Sequence, residues 1–240
     1  MISCIFLLYL ATLAGPVVQA QDPDALYAHR DDINSARRAA DLWAGRLQVN
    51  GKDFESAWKL ARARYWLGGH ANDKERKAFL EAGIAAGRQA VAIEPKRPEG
   101  HFWIAANMGA LAESFGLRQG LKYRGEIRDE LMTVLRLDAS FQHGSADRAL
   151  GRWYLKVPGL FGGSKKKSEE HLRRSLTYNP NSIASRFFLA ETLLDMDRKA
   201  EAIAELQHIV ALQPDPEWIP EDREFKQKAA RLLTTLLQRR

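Results

Sequence analysis

Two matching stretches decide the fold: LRRSLTYNPNS at residues 172–182 and AELQHIVALQPDP at residues 204–216. Their prolines, Pro180 and Pro214, are 34 residues apart. Each stretch has apolar residues three and four positions apart, which is typical of an amphipathic helix, and proline ends such a helix. The same form closes AAGRQAVAIEPKR at Pro95, and it recurs in MTVLRLDASF, where Ala139 stands in place of the proline. The sequence therefore predicts a series of helix pairs.

A period of 34 residues with paired helices closed by proline is the signature of tetratricopeptide (TPR) repeats. One repeat fits residues 182–215 without a gap, with Leu189, Ala190 and Ala202 at the large and small apolar positions. Each helix pair has an apolar face that it buries only against a neighbouring pair. Since no alternating strand pattern occurs, we predict an all-α superhelix of TPR-type helical hairpins.

The three preceding repeats contain extra residues between their first and second helices. Insertions at equivalent points of a solenoid emerge on one edge, where binding residues often lie. The apolar side chains in them either pack against each other or wall a ligand cavity. These insertion-loop candidates are Phe115, Tyr123, Leu160 and Phe161. The predicted organisation of residues 21–240 is a single domain with a capping helix at about 31–49, expanded repeats at about 53–96, 99–140 and 144–181, a standard repeat at 182–215 and a second capping helix at about 222–238.

The first twenty residues contain no charged side chain, and their apolar block ends at Gly15-Pro16. Val18-Gln19-Ala20 matches a small-x-Ala cleavage signal. The pattern predicts a secretory signal peptide over residues 1–20, cut after Ala20, and a periplasmic or secreted protein with no membrane span after cleavage. An uncleaved membrane anchor is the alternative. The single cysteine, Cys4, lies in this segment, so the mature chain would have no thiolate ligand for structural zinc.

Charge and motif content exclude several function classes. The formal net charge is +6, but the basic residues are spread along the chain, whereas nucleic-acid binders gather them on one stripe or tail. None of the six histidines pairs with another at helical spacing, and HExxH and GxSxG motifs are absent. We therefore expect a binding protein rather than an enzyme, with no catalytic residues, metal or cofactor.

In TPR repeats the first helix of each pair lines a concave groove. Guanidinium and ammonium groups such as Arg148, Arg152 and Lys59 are suited to hold an acidic peptide or a small carboxylate ligand. The alternative is a solvated wall without a ligand. The aromatic residues Trp58, Tyr65, Trp103, Trp153 and Tyr154 are expected in the core. The residues predicted to face the groove are Lys59, Trp66, His101, Met108, Arg148, Arg152, Phe187 and Glu191.

Three stretches resemble the T-component proteins of tripartite ATP-independent periplasmic (TRAP) transporters. They are SARRAADLWAGRL at residues 35–47, EGHFWIAANMGAL at 99–111 and RALGRWYLKVPGLFGGSKKKSEEHLRRSL at 148–176. The resemblance implies a periplasmic helical-repeat protein that docks a substrate-binding protein and helps to deliver a small, apolar ligand. The chain lacks the lipobox cysteine of the lipid-anchored members.

Two other functions stay open at this point. One is a generic cell-envelope scaffold that binds peptide segments of a protein complex. The stretch HFWIAANMG also resembles eukaryotic microtubule-associated repeat proteins, although the signal-like N-terminal segment argues against that group.

Overall fold

A computed structural model describes residues 21–238, so the predicted signal peptide and its cleavage point lie outside the described residues. Over this range the backbone forms α-helices and no strand, which confirms the predicted all-α fold. None of the described helices is long and apolar enough to cross a bilayer. The helices are α1 (Pro23–Ala28), α2 (Ile33–Val49), α3 (Phe54–His70), α4 (Asp73–Ile93), α5 (Pro98–Phe115), α6 (Leu117–Leu137), α7 (Phe141–Lys156), α8 (Lys165–Tyr178), α9 (Ile183–Asp195), α10 (Lys199–Ala211) and α11 (Ile219–Gln238), with a 3₁₀ turn at Gly159–Phe161 between α7 and α8.

Successive helices pack as antiparallel hairpins that stack on one another. The pairs α3/α4, α5/α6, α7/α8 and α9/α10 form the hairpins, and α8 also packs on α9. The units that end at Pro180 and Pro214 are therefore neighbours in the stack, as the repeat predicts. Helix α2 covers the first hairpin, and α11 packs on α9 and α10.

Side-chain caps begin several of these helices where the sequence places short polar residues. Asp53 accepts a hydrogen bond from the backbone N–H of Ser56 (3.1 Å) at the start of α3. Ser164 accepts one from the N–H of Lys167 (3.3 Å) at the start of α8. Pro98 stands in the first turn of α5, where its missing N–H costs nothing. These local signals set the helix starts.

The extra residues of the first two expanded repeats lengthen helices and do not form loops. Helices α3 and α4 have 17 and 21 residues, and α5 and α6 have 18 and 21, whereas α9 and α10 have 13 each. Gly116 alone joins α5 to α6, with a φ of 81° that favours glycine. Phe115 and Tyr123 are thus helical, which corrects their placement in a loop. The apolar periodicity simply continues through the surplus residues.

The third expanded repeat contains a true connecting loop between α7 and α8. It is short and hydrogen bonded: the N–H of Phe161 donates to the carbonyl of Pro158 (2.8 Å), and that of Ser164 donates to the carbonyl of Tyr154 (2.9 Å). Leu160 and Phe161 lie in its 3₁₀ turn. This is the one expanded repeat in which the predicted loop position of the apolar side chains is found.

The beginning of α11 returns to the N-terminal end of the superhelix. The guanidinium of Arg30, just after α1, donates to both carboxylate oxygens of Glu221 (2.8 and 2.5 Å). His70, at the end of α3, has its Nε2 atom 2.6 Å from Glu224. The first turns of α11 therefore link the C-terminal cap to the first repeat.

Candidate binding groove

The concave face of the superhelix is lined by charged side chains from the first helix of each hairpin and from α11. We call this surface the groove. Ion pairs and electrostatic interactions connect most of its members, whereas Lys59 and Arg62 pair with residues at the N-terminal end of the superhelix. The members are Lys59, Arg62 and Tyr65 of α3, Glu113 of α5, Arg148 and Arg152 of α7, Glu191 of α9, and Glu221 of α11.

Arg152 is fully occupied by neighbouring acids. Its Nε and Nη2 atoms donate to the two carboxylate oxygens of Glu113 (2.6 and 2.7 Å), and Nη1 donates to Glu191 (3.1 Å). Its guanidinium carbon lies 4.4 Å from the ring centroid of Phe188. A bidentate pair with a second carboxylate fixes this side chain, so Arg152 joins α5, α7 and α9 across the groove floor.

Arg148 lies one helical turn before Arg152 and differs from it in having no such partner. It makes no hydrogen bond or ion pair with residues 21–238. Burial lowers the pKa of its guanidinium, and Tyr65, Asp222 and Glu221 act in the opposite direction through space. The side chain is therefore a partly dehydrated cation that no carboxylate of the described chain neutralises.

Tyr65 faces the same part of the groove. Its side chain is 39% exposed, and its ring lies 5.6 Å from that of Trp103, centroid to centroid. Burial of the hydroxyl in the concave surface raises its pKa. A protonated phenol beside Arg148 supplies a neutral hydrogen-bond donor next to a cation.

The N-terminal wall of the groove is an arrangement of cations over aromatic rings. The guanidinium of Arg62 lies 4.2 Å from the ring centroid of Tyr27 and 5.0 Å from that of Trp58. Burial raises the pKa of Tyr27 to about 12. Lys59 pairs with Asp24 (2.9 Å) and Glu55 (3.4 Å). These cations are held by local partners, in contrast to Arg148.

Four of the residues predicted to face the groove are buried, which corrects those predictions. Met108 is fully buried in the central core, and Phe187 packs against Phe188 and Phe225. Trp66 donates its indole N–H to the carbonyl of Arg30 (2.6 Å). His101 is enclosed between Glu130 of α6 (2.5 Å) and the carbonyl of Pro95 (3.0 Å). The repeat register places these four positions on the groove side of their helices, whereas in the structure their side chains pack against other parts of the protein.

The four apolar candidates of the expanded repeats lie near the turns between the paired helices. Tyr123 is half-buried against the central core. Phe115 and Phe161 are 38% exposed, and Leu160 is 90% exposed. Residues 21–238 contain no cluster of three or more His, Cys, Asp or Glu side chains placed to hold a metal ion.

Some groove residues were not predicted from the sequence. Arg62 and Tyr65 follow Lys59 at intervals of three residues, so they lie on the same helix face as Lys59 and could have been predicted with it. Tyr65 was instead assigned to the core because it is aromatic. Glu113 lies in the extra length of α5, and Glu221 comes from the C-terminal cap. No sequence signal reveals these two, because the repeat consensus describes neither position.

Comparison with known proteins agrees with this architecture. TTC0263, a thermophilic TPR protein of Thermus thermophilus, is 21% identical with a TM-score of 0.65, over 88% of this chain and 97% of that one. MamA is 13% identical with a TM-score of 0.52, over 89% of this chain and 99% of that one. At these identities the likeness shows the TPR fold alone. No curated protein matches the chain.

The family-level match differs from the first resemblance found in the sequence. The family model described as regulator of microtubule dynamics protein 1-3 matches residues 20–237. This is the microtubule-associated group that the signal-like N-terminus argued against, and the resemblance to TRAP T-components is not confirmed. The chain belongs to the regulator of microtubule dynamics protein 1-3 family.

Proposed function

We propose that the protein is a non-enzymatic binding protein whose groove holds an acidic segment of a partner protein. Arg148 receives a carboxylate of that segment, and the hydroxyl of Tyr65 donates a second hydrogen bond. The rest of the groove forms a rigid wall around this pair. A small carboxylate ligand would use the same two groups, and the experiment below separates it from a peptide.

The observation that carries the proposal is the contrast between Arg148 and Arg152. Both extend from α7 into the groove, but Arg152 has Glu113 and Glu191, whereas Arg148 has no carboxylate within the described chain. Taking a guanidinium partly out of water is costly unless it is paired. An incoming carboxylate pairs with it in a site that is already desolvated, and charge-assisted hydrogen bonds of this kind are strong.

The groove is also preorganised, which favours binding of an extended segment. Arg152 ties together three helices, and the contacts of Arg30 and His70 with α11 hold the cap in place. Few side chains need to be ordered when a partner binds, so less of the interaction energy is lost.

The test uses the full chain and a fluorescent acidic peptide, with polarisation as the readout and succinate as a competitor. We expect Arg148→Gln to weaken peptide binding about tenfold or more, since a charge-assisted pair is lost. Arg128→Gln, which changes an exposed arginine on α6 paired only with its neighbour Asp129, is the matched control. Equal affinities for the two variants would remove Arg148 from the site. If succinate displaces the peptide and binds as tightly as the peptide does, the site is one for small carboxylates and not for peptides.

The location and the partner are further parts of the proposal. The apolar segment at residues 1–20 supports export to a periplasm or secretion, and the resemblance to T-components supports a transporter accessory that docks a substrate-binding protein. The alternative is an envelope scaffold that binds peptide segments of a complex.

The family match supports a second candidate, a role in the dynamics of microtubules. Co-sedimentation with polymerised tubulin, with the Arg148→Gln variant alongside, separates this role from the others. If the protein co-sediments saturably with microtubules and Arg148→Gln weakens this binding, the microtubule role is supported. Recovery of a periplasmic binding protein by the mature chain, with no tubulin binding, would decide for transport.

A further inference from the structure

The edge of the superhelix at the α5–α6 turn and the α7–α8 connection combines exposed apolar side chains with unpaired cations. Leu160 is the most exposed large apolar residue of this edge, at 90%. Phe115, at the α5–α6 turn, and Phe161, next to Leu160 in the chain, are each 38% exposed. Scattered exposed apolar residues are ordinary on a protein surface, but here three of them share one edge. We call this surface the basic edge.

The turn that carries Leu160 has a defined shape. Besides the hydrogen bonds of Phe161 and Ser164, the N–H groups of Gly162 and Gly163 donate to the carbonyls of Gly159 (3.1 Å) and Pro158 (3.2 Å). Gly162 has a φ of 103°, and a Cβ on Gly163 would lie 1.7 Å from the carbonyl oxygen of Val157. Leu160 is thus exposed from a turn whose backbone is held by four hydrogen bonds.

The charges around these apolar side chains have one sign. The stretches 114–125 and 156–168 contain no Asp or Glu. Lys165 pairs with Asp195 (2.8 Å) and Lys156 with Glu191 (3.9 Å), but the other five cations of the two stretches make no ion pair with the described part of the chain. They are Arg118, Lys122, Arg124, Lys166 and Lys167.

Direct contacts place the two stretches side by side. The guanidinium of Arg124 lies 5.5 Å from the ring centroid of Phe161, and the carbonyl of Arg124 accepts a hydrogen bond from the indole of Trp153 (3.0 Å). The ammonium of Lys167 lies 5.4 Å from the ring centroid of Tyr154. The basic edge is therefore one continuous surface that two successive hairpins build together.

We propose that the basic edge binds the surface of an anionic membrane, with Leu160 inserted among the lipids and the unpaired cations facing the headgroups. Apolar side chains flanked by Lys and Arg bind such interfaces through apolar burial together with attraction to anionic lipid. Charge complementarity selects this partner: a second copy of the chain would bring the same row of cations against this one, and they would repel each other. Attachment here leaves the groove free, so the inference is independent of the ligand proposed for Arg148.

The test measures co-sedimentation of the full chain with vesicles of phosphatidylcholine, either alone or with roughly a third phosphatidylserine. We expect binding to the anionic vesicles only, weakened about tenfold by Leu160→Glu and by the pair Lys122→Gln with Lys166→Gln. The matched control is Val49→Glu: Val49 is 91% exposed, but it lies at the α2–α3 turn on the other edge, where the carbonyl of Gly51 accepts from Gln89 (3.0 Å) near the end of α4. Circular dichroism checks that each variant is folded.

Several outcomes would overturn the proposal. Equal binding to both kinds of vesicle, unchanged by Leu160→Glu, would assign membrane binding to the apolar segment at residues 1–20. An effect of Val49→Glu as large as that of Leu160→Glu would remove the basic edge from the interaction. Self-association that Leu160→Glu abolishes, without vesicle binding, would identify a second copy as the occupant.

Discussion

Arg30 and Glu221 are joined by two hydrogen bonds although they are 191 residues apart in the chain. Arg30 is only 5% exposed, and its guanidinium lies between the rings of Tyr27 (5.1 Å) and Trp66 (5.4 Å). The contact joins the first helices of the superhelix to its last helix. Together with the contact of His70 and Glu224, it forms what we call the clasp.

The clasp should contribute to the stability of the whole fold. Glu221→Gln leaves the buried guanidinium of Arg30 without its carboxylate, so we expect the free energy of unfolding to fall by about 2–4 kcal/mol. Glu217→Gln is the control, because Glu217 binds Arg30 through its backbone carbonyl (3.1 Å), which the substitution keeps. Urea unfolding followed by circular dichroism measures both variants. If Glu221→Gln lowered the free energy of unfolding as little as Glu217→Gln does, the clasp would not contribute to stability.

His70 should make the stability dependent on pH. Its Nδ1 lies 2.7 Å from the carbonyl of Trp66 and its Nε2 lies 2.6 Å from Glu224, so both ring nitrogens face acceptors, an arrangement that favours the imidazolium form. Burial by itself lowers the pKa of His70, but the hydrogen bonds to Glu224 and to the Trp66 carbonyl give a net increase. Since the folded pKa is above the unfolded value, this stability is complete below about pH 6.5 and is lost as pH rises through the folded pKa.

Unfolding of the wild type and of His70→Gln across about pH 5 to 9 measures this dependence. We expect the difference in unfolding free energy to be largest at the acidic end and to shrink as pH rises. The His70→Gln variant should still lose some stability as pH rises, because His101 titrates in the same direction. Its hydrogen bonds to Glu130 and to the carbonyl of Pro95 raise the pKa of His101. A difference that is constant or grows with pH would contradict the assignment of the imidazolium to His70.

Gly151 should not tolerate a side chain, because α7 and α8 approach closely there. A Cβ on Gly151 would lie 2.5 Å from the Cγ atom of Leu172 and 3.1 Å from the carbonyl oxygen of Ser168. We expect Gly151→Ala to lower the free energy of unfolding by about 1–3 kcal/mol, as overpacking does. Gly109→Ala in α5, where a Cβ meets nothing within 4 Å, should raise stability by about 0.5–1 kcal/mol through higher helix propensity. Thermal unfolding measures the stability of the two variants. If both variants were destabilised, or neither was, the argument from the close approach of α7 and α8 would be contradicted.

The order of the helices was predictable because each signal for it is local. The spacing of Pro180 and Pro214, the apolar positions three and four apart, and the polar caps at Asp53 and Ser164 act within one or two helical turns. The repeat then makes the long-range packing predictable too, since each hairpin contacts mainly its neighbours. The same register predicts that Arg152 and Glu191 lie near each other, as they do in the structure, and the binding roles of Arg148, Arg152 and Glu191 stay predictions.

The sequence by itself determined the helices, their pairing and the stack, because periodicity, caps and repeat length encode contacts between neighbours in the chain. Only the tertiary structure decided that the surplus residues extend α3 to α6, that Met108 and His101 are buried, and that Arg152 has its acids while Arg148 has none. It also decided that α11 returns to Arg30. The physical reason is that these features depend on which helix each side chain packs against and on contacts between distant residues, such as Arg30 with Glu221, and neither leaves a local pattern in the sequence.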